Sequence, residues 1–251
     1  MEDAKKFYIE SWANFISYFK DAIELSHKST NIAAPTSRHF YASVLFTRLV
    51  ICSASLKKLC PHPSQLGKDA IWDCLSACAI TRNILECYLI FYYFCIDNIG
   101  EIEWDARWRL FNLHDFIQRR KMFDSYMSED DTEATNKLVN ELASNGYFET
   151  LSEKQKRHYL KGNNALFKPL DKIAESRGDD VTQFRMLYRF LSNQIHSLPM
   201  SFYRTLEHER GRGMESEVEV GYSAICLDTA YQNLREACSE YTELFNMPKQ
   251  R

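Results

Sequence analysis

The chain has 251 residues, of which 45% are hydrophobic and 26% charged, a composition that supports a folded core and excludes intrinsic disorder. Its formal net charge of −3 excludes a uniformly basic surface of the kind that coats nucleic acid. Glycine (8) and proline (6) are scarce, and five long runs contain neither, which favours helices over short strands joined by turns: 1–34, 36–60, 68–99, 101–145 and 222–247.

Apolar residues recur at three- and four-residue steps along most of these runs, which predicts amphipathic helices. The run 68–98 is apolar on most sides in its second half, so it is predicted to be the central core helix. The segment 128–161 is more polar and predicts shorter, more exposed helices. The first of the other predicted helices has about six turns and carries the apolar stripe of residues 7–25. In chain order the rest cover residues 36–60, 101–127, 181–199 and 223–245.

These elements predict an all-α fold, a multi-helix bundle in one domain over residues 1–251. Its core helices are expected within 3–127 and 181–246, with a polar, exposed insertion at 128–180. The apolar stretch Ile84–Ile96 contains Glu86 and is shorter than the roughly 20 residues that a membrane span needs, so no membrane association is expected.

The first residues show no secretory-signal pattern, and most of the eight cysteines lie among apolar neighbours in helical patterns. A reducing, cytoplasmic location is therefore expected. Charge is uneven along the chain, because residues 154–212 contain 12 Lys and Arg against 6 Asp and Glu. Three basic groups are candidates for phosphate contacts or for solvated faces: the stretch 154–161, the run 119–121, and Arg204, Arg210 and Arg212.

The most specific local pattern lies near the end of the predicted helix 181–199. Arg189, Ser192, Asn193 and His196 are spaced so that they return to one helical face, and Arg185 and Tyr188 extend that stripe by one turn. A guanidinium can stabilise charge on phosphoryl oxygens while an imidazole moves a proton near neutral pH, so the pair suits phosphodiester chemistry without a metal. The alternative is structural: His196 caps helix carbonyls and Arg189 pairs with an acid.

A second polar cluster, Arg82, Asn83 and Glu86, interrupts the predicted core helix. The spacing of Arg82 and Glu86 permits a salt bridge within the helix, and polar groups in such a place need partners. A buried structural pair that links helices is one interpretation. The other is a supporting role, in which the cluster orients Arg189 or His196.

Arg189 followed by six residues and then His196 resembles the signature of the HEPN superfamily, which is Arg, four to six residues, His. The segments TRNILE at 81–86 and YRFLSNQIHS at 188–197 together resemble a divergent, uncharacterised bacterial branch of it. The resemblance implies a helical bundle that forms a homodimer. Many members of the superfamily are metal-independent RNA endonucleases of toxin–antitoxin or antiphage systems. An antitoxin or another defence-system protein is therefore an expected partner. Other members are inactive or only bind nucleotides and partners.

Carried over to this chain, His196 is the expected general acid or base at the ribose 2′-hydroxyl or leaving oxygen, and Arg189 is expected to stabilise the charged transition state. The residue after the arginine departs from the signature: it is Phe190, where Asn, Asp or His is typical. Asn193 and Ser192 are candidates for the missing polar group. The rival hypothesis is a noncatalytic helical nucleotide- or partner-binding module of a defence system.

Other sites carry weaker signals. Tyr88, Tyr92 and Tyr93 with the same polar residues form a candidate small-ligand site. Cys74 and Cys78 have a spacing that can present two thiolates, but no second ligand pair accompanies them, so no metal is expected. Phosphate-loop, dinucleotide-binding, esterase and zinc-protease motifs are absent from the sequence, and no cofactor is expected.

Overall fold

The computed structural model describes residues 1–123, 129–196, 199, 201, 203 and 213–247. Every regular element in these residues is helical, which confirms the all-α multi-helix prediction. Part of the basic segment 154–212 lies outside the described residues, as does the end of the predicted core range 3–127. The helices are α1 (Glu2–Ser29), α2 (Ser37–Leu59), α3 (Cys74–Phe91), α4 (Glu101–Phe123), α5 (Glu129–Ala143), α6 (Gly146–Glu149), α7 (Glu153–Tyr159), α8 (Leu170–Arg177), α9 (Val181–Ile195) and α10 (Glu217–Leu244).

The chain divides into two compact units. The first contains residues 1–96 and 174–251, and the second contains residues 97–173. The second unit thus begins about thirty residues before the predicted polar insertion, because α4 packs on α5 and α6. Whether the units together form the single domain expected from the sequence stays a prediction.

In the first unit, α10 packs along α1 and against α3, and α3 also contacts α2 and α9. The apolar face of α3 is almost completely buried, with Ile84, Leu89 and Phe91 each 0% exposed. Burial of such large apolar side chains is the main favourable term in folding. The prediction that this segment is the central core helix is therefore confirmed, and α9 gains a rigid support.

The start of α3 differs from the prediction. The helix begins at Cys74, not at residue 68, because the Asp73 side chain caps it by accepting a hydrogen bond of 3.0 Å from the backbone N–H of Ser76. Just upstream, the backbone N–H of Trp72 donates to the carbonyl of Gly213 over 2.8 Å. At its other end α3 continues as a single π-helical turn, Tyr92–Ile96.

Two helical segments are long and apolar enough to cross a membrane by length and composition alone. One is Ser37–Gln65, which contains α2, and the other is Cys74–Ile96, which contains α3. More than half of the apolar window of the second segment is buried inside the protein, as expected for a core helix. The first segment is less buried, and Phe40, Val44 and Ile51 are exposed along it.

The second unit has its own small core of α4, α5 and α6 side chains. Arg107 of α4 is 1% exposed, and its guanidinium contacts Asp97 at 2.7 Å and Glu103 at 2.6 Å. A buried guanidinium needs such partners. The apolar core residues are Ala106, Leu110, Leu113, Leu142 and Phe148.

Candidate functional site

The predicted site helix, α9, is strongly amphipathic and begins at a capped end. The Asp180 carboxylate accepts hydrogen bonds from the backbone N–H groups of Thr182 (2.8 Å) and Gln183 (3.2 Å). Its inner face buries Phe184, Leu191 and Gln194. The remaining face carries the polar residues that the sequence singled out.

Arg189 and His196 both lie on the exposed side of α9. His196 is the residue that follows the last helical turn, and Arg189 precedes it by two turns on the same stripe. With the described residues, neither side chain forms a hydrogen bond or an ion pair, so the capping and acid-pairing roles considered for them are not seen there. Both are accessible to a phosphodiester.

Arg82, Glu86 and Tyr188 form a closed hydrogen-bonded triangle between α3 and α9, here called the polar clamp. The Arg82 Nε donates to Glu86 Oε1 over 2.8 Å, and its Nη2 donates to the Tyr188 hydroxyl over 2.7 Å. The Tyr188 hydroxyl in turn donates to Glu86 Oε1 over 2.7 Å. Burial and the Glu86 carboxylate raise the pKa of Tyr188, so the phenol stays a neutral donor.

The polar clamp joins two of the sequence-predicted groups, since Arg82 and Glu86 meet Tyr188 of the α9 stripe. It fixes the helix that carries Arg189 and His196 to the buried helix α3. This arrangement fits both interpretations of the cluster, a structural pair that links helices and a supporting role for the α9 residues. Asn83, predicted with it, is exposed instead and lies outside the triangle.

Ser192 and Asn193 bond to their own helix. The Ser192 hydroxyl donates to the Tyr188 carbonyl over 2.6 Å, and the Asn193 amide donates to the Arg189 carbonyl over 2.8 Å. Such bonds to the carbonyl four residues back hold polar side chains close to the helix surface. Arg185 lies one turn earlier and is exposed.

Phe190, which departs from the superfamily signature, has a structural contact. Its ring meets the ring of Tyr222 on α10 edge to face, with centroids 4.8 Å apart. Aromatic pairs in this geometry contribute more than their buried area alone. The position therefore holds α9 against α10.

A polar cleft of about 630 Å³ lies beside α9 and was not predicted from the sequence. Its walls come from α3, α9, α10 and the connection between α8 and α9. Of the three tyrosines in the small-ligand hypothesis, only Tyr92 lines it, while Tyr88 and Tyr93 are buried. Its charged lining residues are Arg177, Asp179, Asp180, Asp228, Arg235, Glu236 and Glu240.

Glu240 is the most strongly perturbed carboxyl of the cleft. Its Oε2 accepts a hydrogen bond of 2.9 Å from the Tyr88 hydroxyl, and the Arg177 guanidinium lies 4.6 Å from the centre of the Tyr88 ring. Burial raises the pKa of Glu240 to about 7, although Tyr88 and Arg177 act in the opposite direction. A carboxyl in this range can exchange a proton at neutral pH.

The sequence does contain a signal for this cleft. Asp228, Gln232, Glu236 and Glu240 follow one another at four-residue steps, and in α10 this spacing places them along one stripe. In the sequence, however, this stripe has the same pattern as the ordinary solvent-exposed polar face of a helix. Only the packing of α3 and α9 beside it turns the stripe into a cleft wall.

Comparison with known proteins gives one family. Residues 39–214 match the family described as "Family of unknown function (DUF5677)". The chain belongs to this family. No curated protein and no solved structure is similar to it.

The DUF5677 match includes the polar clamp, Arg189 and His196. It also includes the cleft walls that come from α3 and α9, whereas α10 lies beyond residue 214. The family description assigns no activity, so the residues of the candidate site are the evidence for the chemistry of this protein.

The cysteines do not assemble a metal site in the described part of the chain, which contains no group of three or more His, Cys, Asp or Glu side chains that can hold a metal ion. The Cys78 and Cys226 sulfurs lie 3.6 Å apart in the core of the first unit. Burial, followed by the charge of Glu219, raises the pKa of Cys74 to about 12. This thiol therefore stays protonated at neutral pH and behaves as a small apolar group.

Proposed function

We propose that this protein is a metal-independent RNA endonuclease of the HEPN type, with its reactive groups at the end of α9. The observation that carries the proposal is the joint exposure of Arg189 and His196 on one face of a helix that the polar clamp holds in place. A general base must be able to reach its substrate, and a guanidinium that stabilises charge on the substrate must not already form an ion pair with an acid of the protein. Both conditions hold for these two side chains among the described residues.

In the proposed reaction the ribose 2′-oxygen attacks the adjacent phosphorus, and the bond from phosphorus to the 5′-oxygen breaks. His196 takes the proton of the 2′-hydroxyl or returns a proton to the leaving 5′-oxygen. Arg189 stabilises the negative charge on the phosphoryl oxygens. The products are a 2′,3′-cyclic phosphate and a 5′-hydroxyl end.

Arg82, Glu86 and Tyr188 act as positioning residues in this proposal. Arg82 and Glu86 bind α9 at Tyr188, about two turns before His196, and set the direction in which the end of the helix leaves α3. Arg185 lies on the same exposed side as Arg189. Ser192 and Asn193 lie between Arg189 and His196 along α9.

The working form in the proposal is a homodimer in the cytoplasm. Two copies that pair through α9 bring two sets of Arg189 and His196 to one groove on the symmetry axis. Ile195, next to His196, exposes 37% of its surface and is the apolar side chain of α9 that such pairing would cover. An antitoxin or another defence-system protein is the proposed partner that restrains the activity.

The second candidate is a noncatalytic nucleotide- or partner-binding module. One observation favours it: Phe190 occupies a signature position with a packing role. The cleft beside α9 has the size of a small-molecule site, but its carboxylates outnumber its cations, so it does not favour a nucleotide. In that case His196 is not needed for chemistry. The two candidates therefore differ in the effect of replacing His196 in a folded protein.

The test incubates purified protein with total RNA and with single-stranded DNA in EDTA. Wild type, His196→Ala and His27→Ala are compared, because His27 is an exposed histidine on α1, far along the chain from α9. The nuclease proposal expects RNA fragments from wild type and His27→Ala, and none from His196→Ala. Intact RNA with all three proteins favours the binding module.

A further inference from the structure

The cleft beside α9 has more negative charge than its own cations neutralise. Arg177 is held by Asp179 through two bonds of 2.9 and 2.6 Å, and Arg235 contacts Glu236 at 2.8 Å. Both guanidiniums are thus engaged by neighbouring carboxylates. Three further lining carboxylates form no ion pair with any residue in the described ranges: Asp180, Asp228 and Glu240. The cleft therefore favours a cation.

A buried amide in the same cleft lacks a donor. Asn233 is 6% exposed, and its Nδ2 donates to the Thr229 carbonyl over 2.7 Å. Its Oδ1 accepts no hydrogen bond from the part of the chain that the structure describes. A buried carbonyl oxygen without a donor is costly, and an N–H group of a ligand removes that cost.

The shape of the cleft favours an organic cation over a metal ion. Its lining does not provide three ligating side chains that can hold a metal, as far as the described residues go. Opposite the polar stripe of α10, the cleft is lined by apolar side chains of α3 and α9, namely Leu85, Phe184 and Leu187. A ligand that fits both walls carries positive nitrogens on an alkyl chain.

The spacing of the acids indicates more than one positive group. Residues four apart on a helix have Cβ atoms about 5–6 Å apart, which a short alkyl chain between two amines can span. Asp228 and Glu240 lie at the ends of the stripe, about 18 Å apart along the helix axis at 1.5 Å per residue. A linear molecule with several amines matches this length.

We propose that the cleft binds a linear aliphatic polyamine. Its ammonium groups pair with Asp228 and Glu240, an N–H donates to the Asn233 Oδ1, and its methylene groups cover Phe184 and Leu187. The site is independent of the proposed nuclease activity, since no group of the cleft takes part in the cleavage step.

Calorimetric titration of the full chain with spermine, a linear tetraamine, at pH 8 and low salt tests the proposal. We expect saturable binding at one site per chain, weakened roughly tenfold or more by Asp228→Asn or by Glu240→Gln. The matched control is Glu24→Gln, since Glu24 is an exposed acid of α1 that pairs with Lys28 and lies outside the cleft. It should bind like wild type. Thermal unfolding verifies that each variant is folded, and Asp228→Asn decides the test if Glu240→Gln does not fold.

Three results overturn the proposal. One is the absence of saturable spermine binding to folded wild type. The second is an equal loss of affinity in Glu24→Gln and the cleft variants, which means that overall charge is responsible. The third is displacement of the bound polyamine by magnesium at the same concentration of positive charge. A metal cation has no methylene groups to cover the apolar wall, so such competition would mean that charge alone drives binding.

Discussion

Arg82 and Tyr188 lie 106 residues apart in the chain, and the guanidinium of the first donates to the hydroxyl of the second over 2.7 Å. The guanidinium also lies 4.8 Å from the centre of the Tyr188 ring. Glu86 closes the triangle by accepting from both side chains. The core helix and the site helix are therefore joined by a charged, half-buried contact and not by apolar packing alone.

Removal of the Tyr188 hydroxyl tests this contact. Tyr188→Phe leaves the Nη2 of Arg82 without its acceptor and removes one donor to Glu86, so we expect the free energy of unfolding to fall by about 1–2 kcal/mol. The measurement is urea unfolding. Tyr18→Phe is the matched control, because the Tyr18 ring packs against Tyr231 and its hydroxyl bonds to no described residue. Equal stability of the two variants would contradict the role given to the polar clamp.

Phe190 gives a second test, because the superfamily signature has a polar residue there. Phe190→Asn restores that type of side chain but removes the edge-to-face contact with Tyr222. We expect unfolding to become easier by about 1–2 kcal/mol, from the lost aromatic pair and the lost buried area. A variant as stable as wild type in urea would show that the contact does not hold α9.

Glu240 predicts a pH dependence of stability. Burial raises its pKa from the ordinary 4.5 to about 7, with Tyr88 and Arg177 lowering it and Glu236 and Glu243 raising it. The folded protein thus keeps a proton that the unfolded chain loses, so stability from this group is full below pH 4.5 and is lost as the pH rises to 7. Relative to Glu240→Gln, wild type should lose about 3 kcal/mol over this window. Parallel curves of unfolding free energy against pH would refute this.

The homodimer is tested by mass in solution. Light scattering at micromolar concentration should give twice the chain mass of 29.5 kDa. Ile195→Glu should shift the mass toward the monomer, since a two-fold interface through α9 receives two new charges. Ile32→Glu, at an exposed position outside the helices, should leave it unchanged. A wild-type monomer would rule out the shared groove.

The periodicity of the sequence was sufficient to predict the all-α fold and the central place of α3, because an apolar helix without breakers must be buried. The ends of the helices were harder to predict from the sequence. The start at Cys74 depends on the Asp73 cap, and the hydrogen bond from Trp72 to Gly213 depends on a residue far along the chain. Such distant partners leave no local signal.

Part of the candidate site was also predictable, because the spacing of residues within one helix decides which side chains share a face. The offsets among Arg189, Ser192, Asn193 and His196 define one helical stripe, and the salt bridge of Arg82 with Glu86 follows from spacing within one helix. Tyr188 was assigned to the stripe, but its bond to that salt bridge needs the packing of α9 on α3. The cleft depends on three separate segments, which sequence spacing cannot bring together.

The role proposed for His196, to promote attack by the 2′-hydroxyl of RNA, is tested most directly with a defined single-stranded RNA and its fully 2′-O-methylated copy in EDTA. We expect wild type to cut the unmodified strand to fragments with 2′,3′-cyclic phosphate ends and to leave the methylated strand intact. Folded His196→Ala should cut neither strand. Cleavage of the methylated strand, undiminished cleavage by His196→Ala, or intact RNA with the wild-type dimer would contradict it.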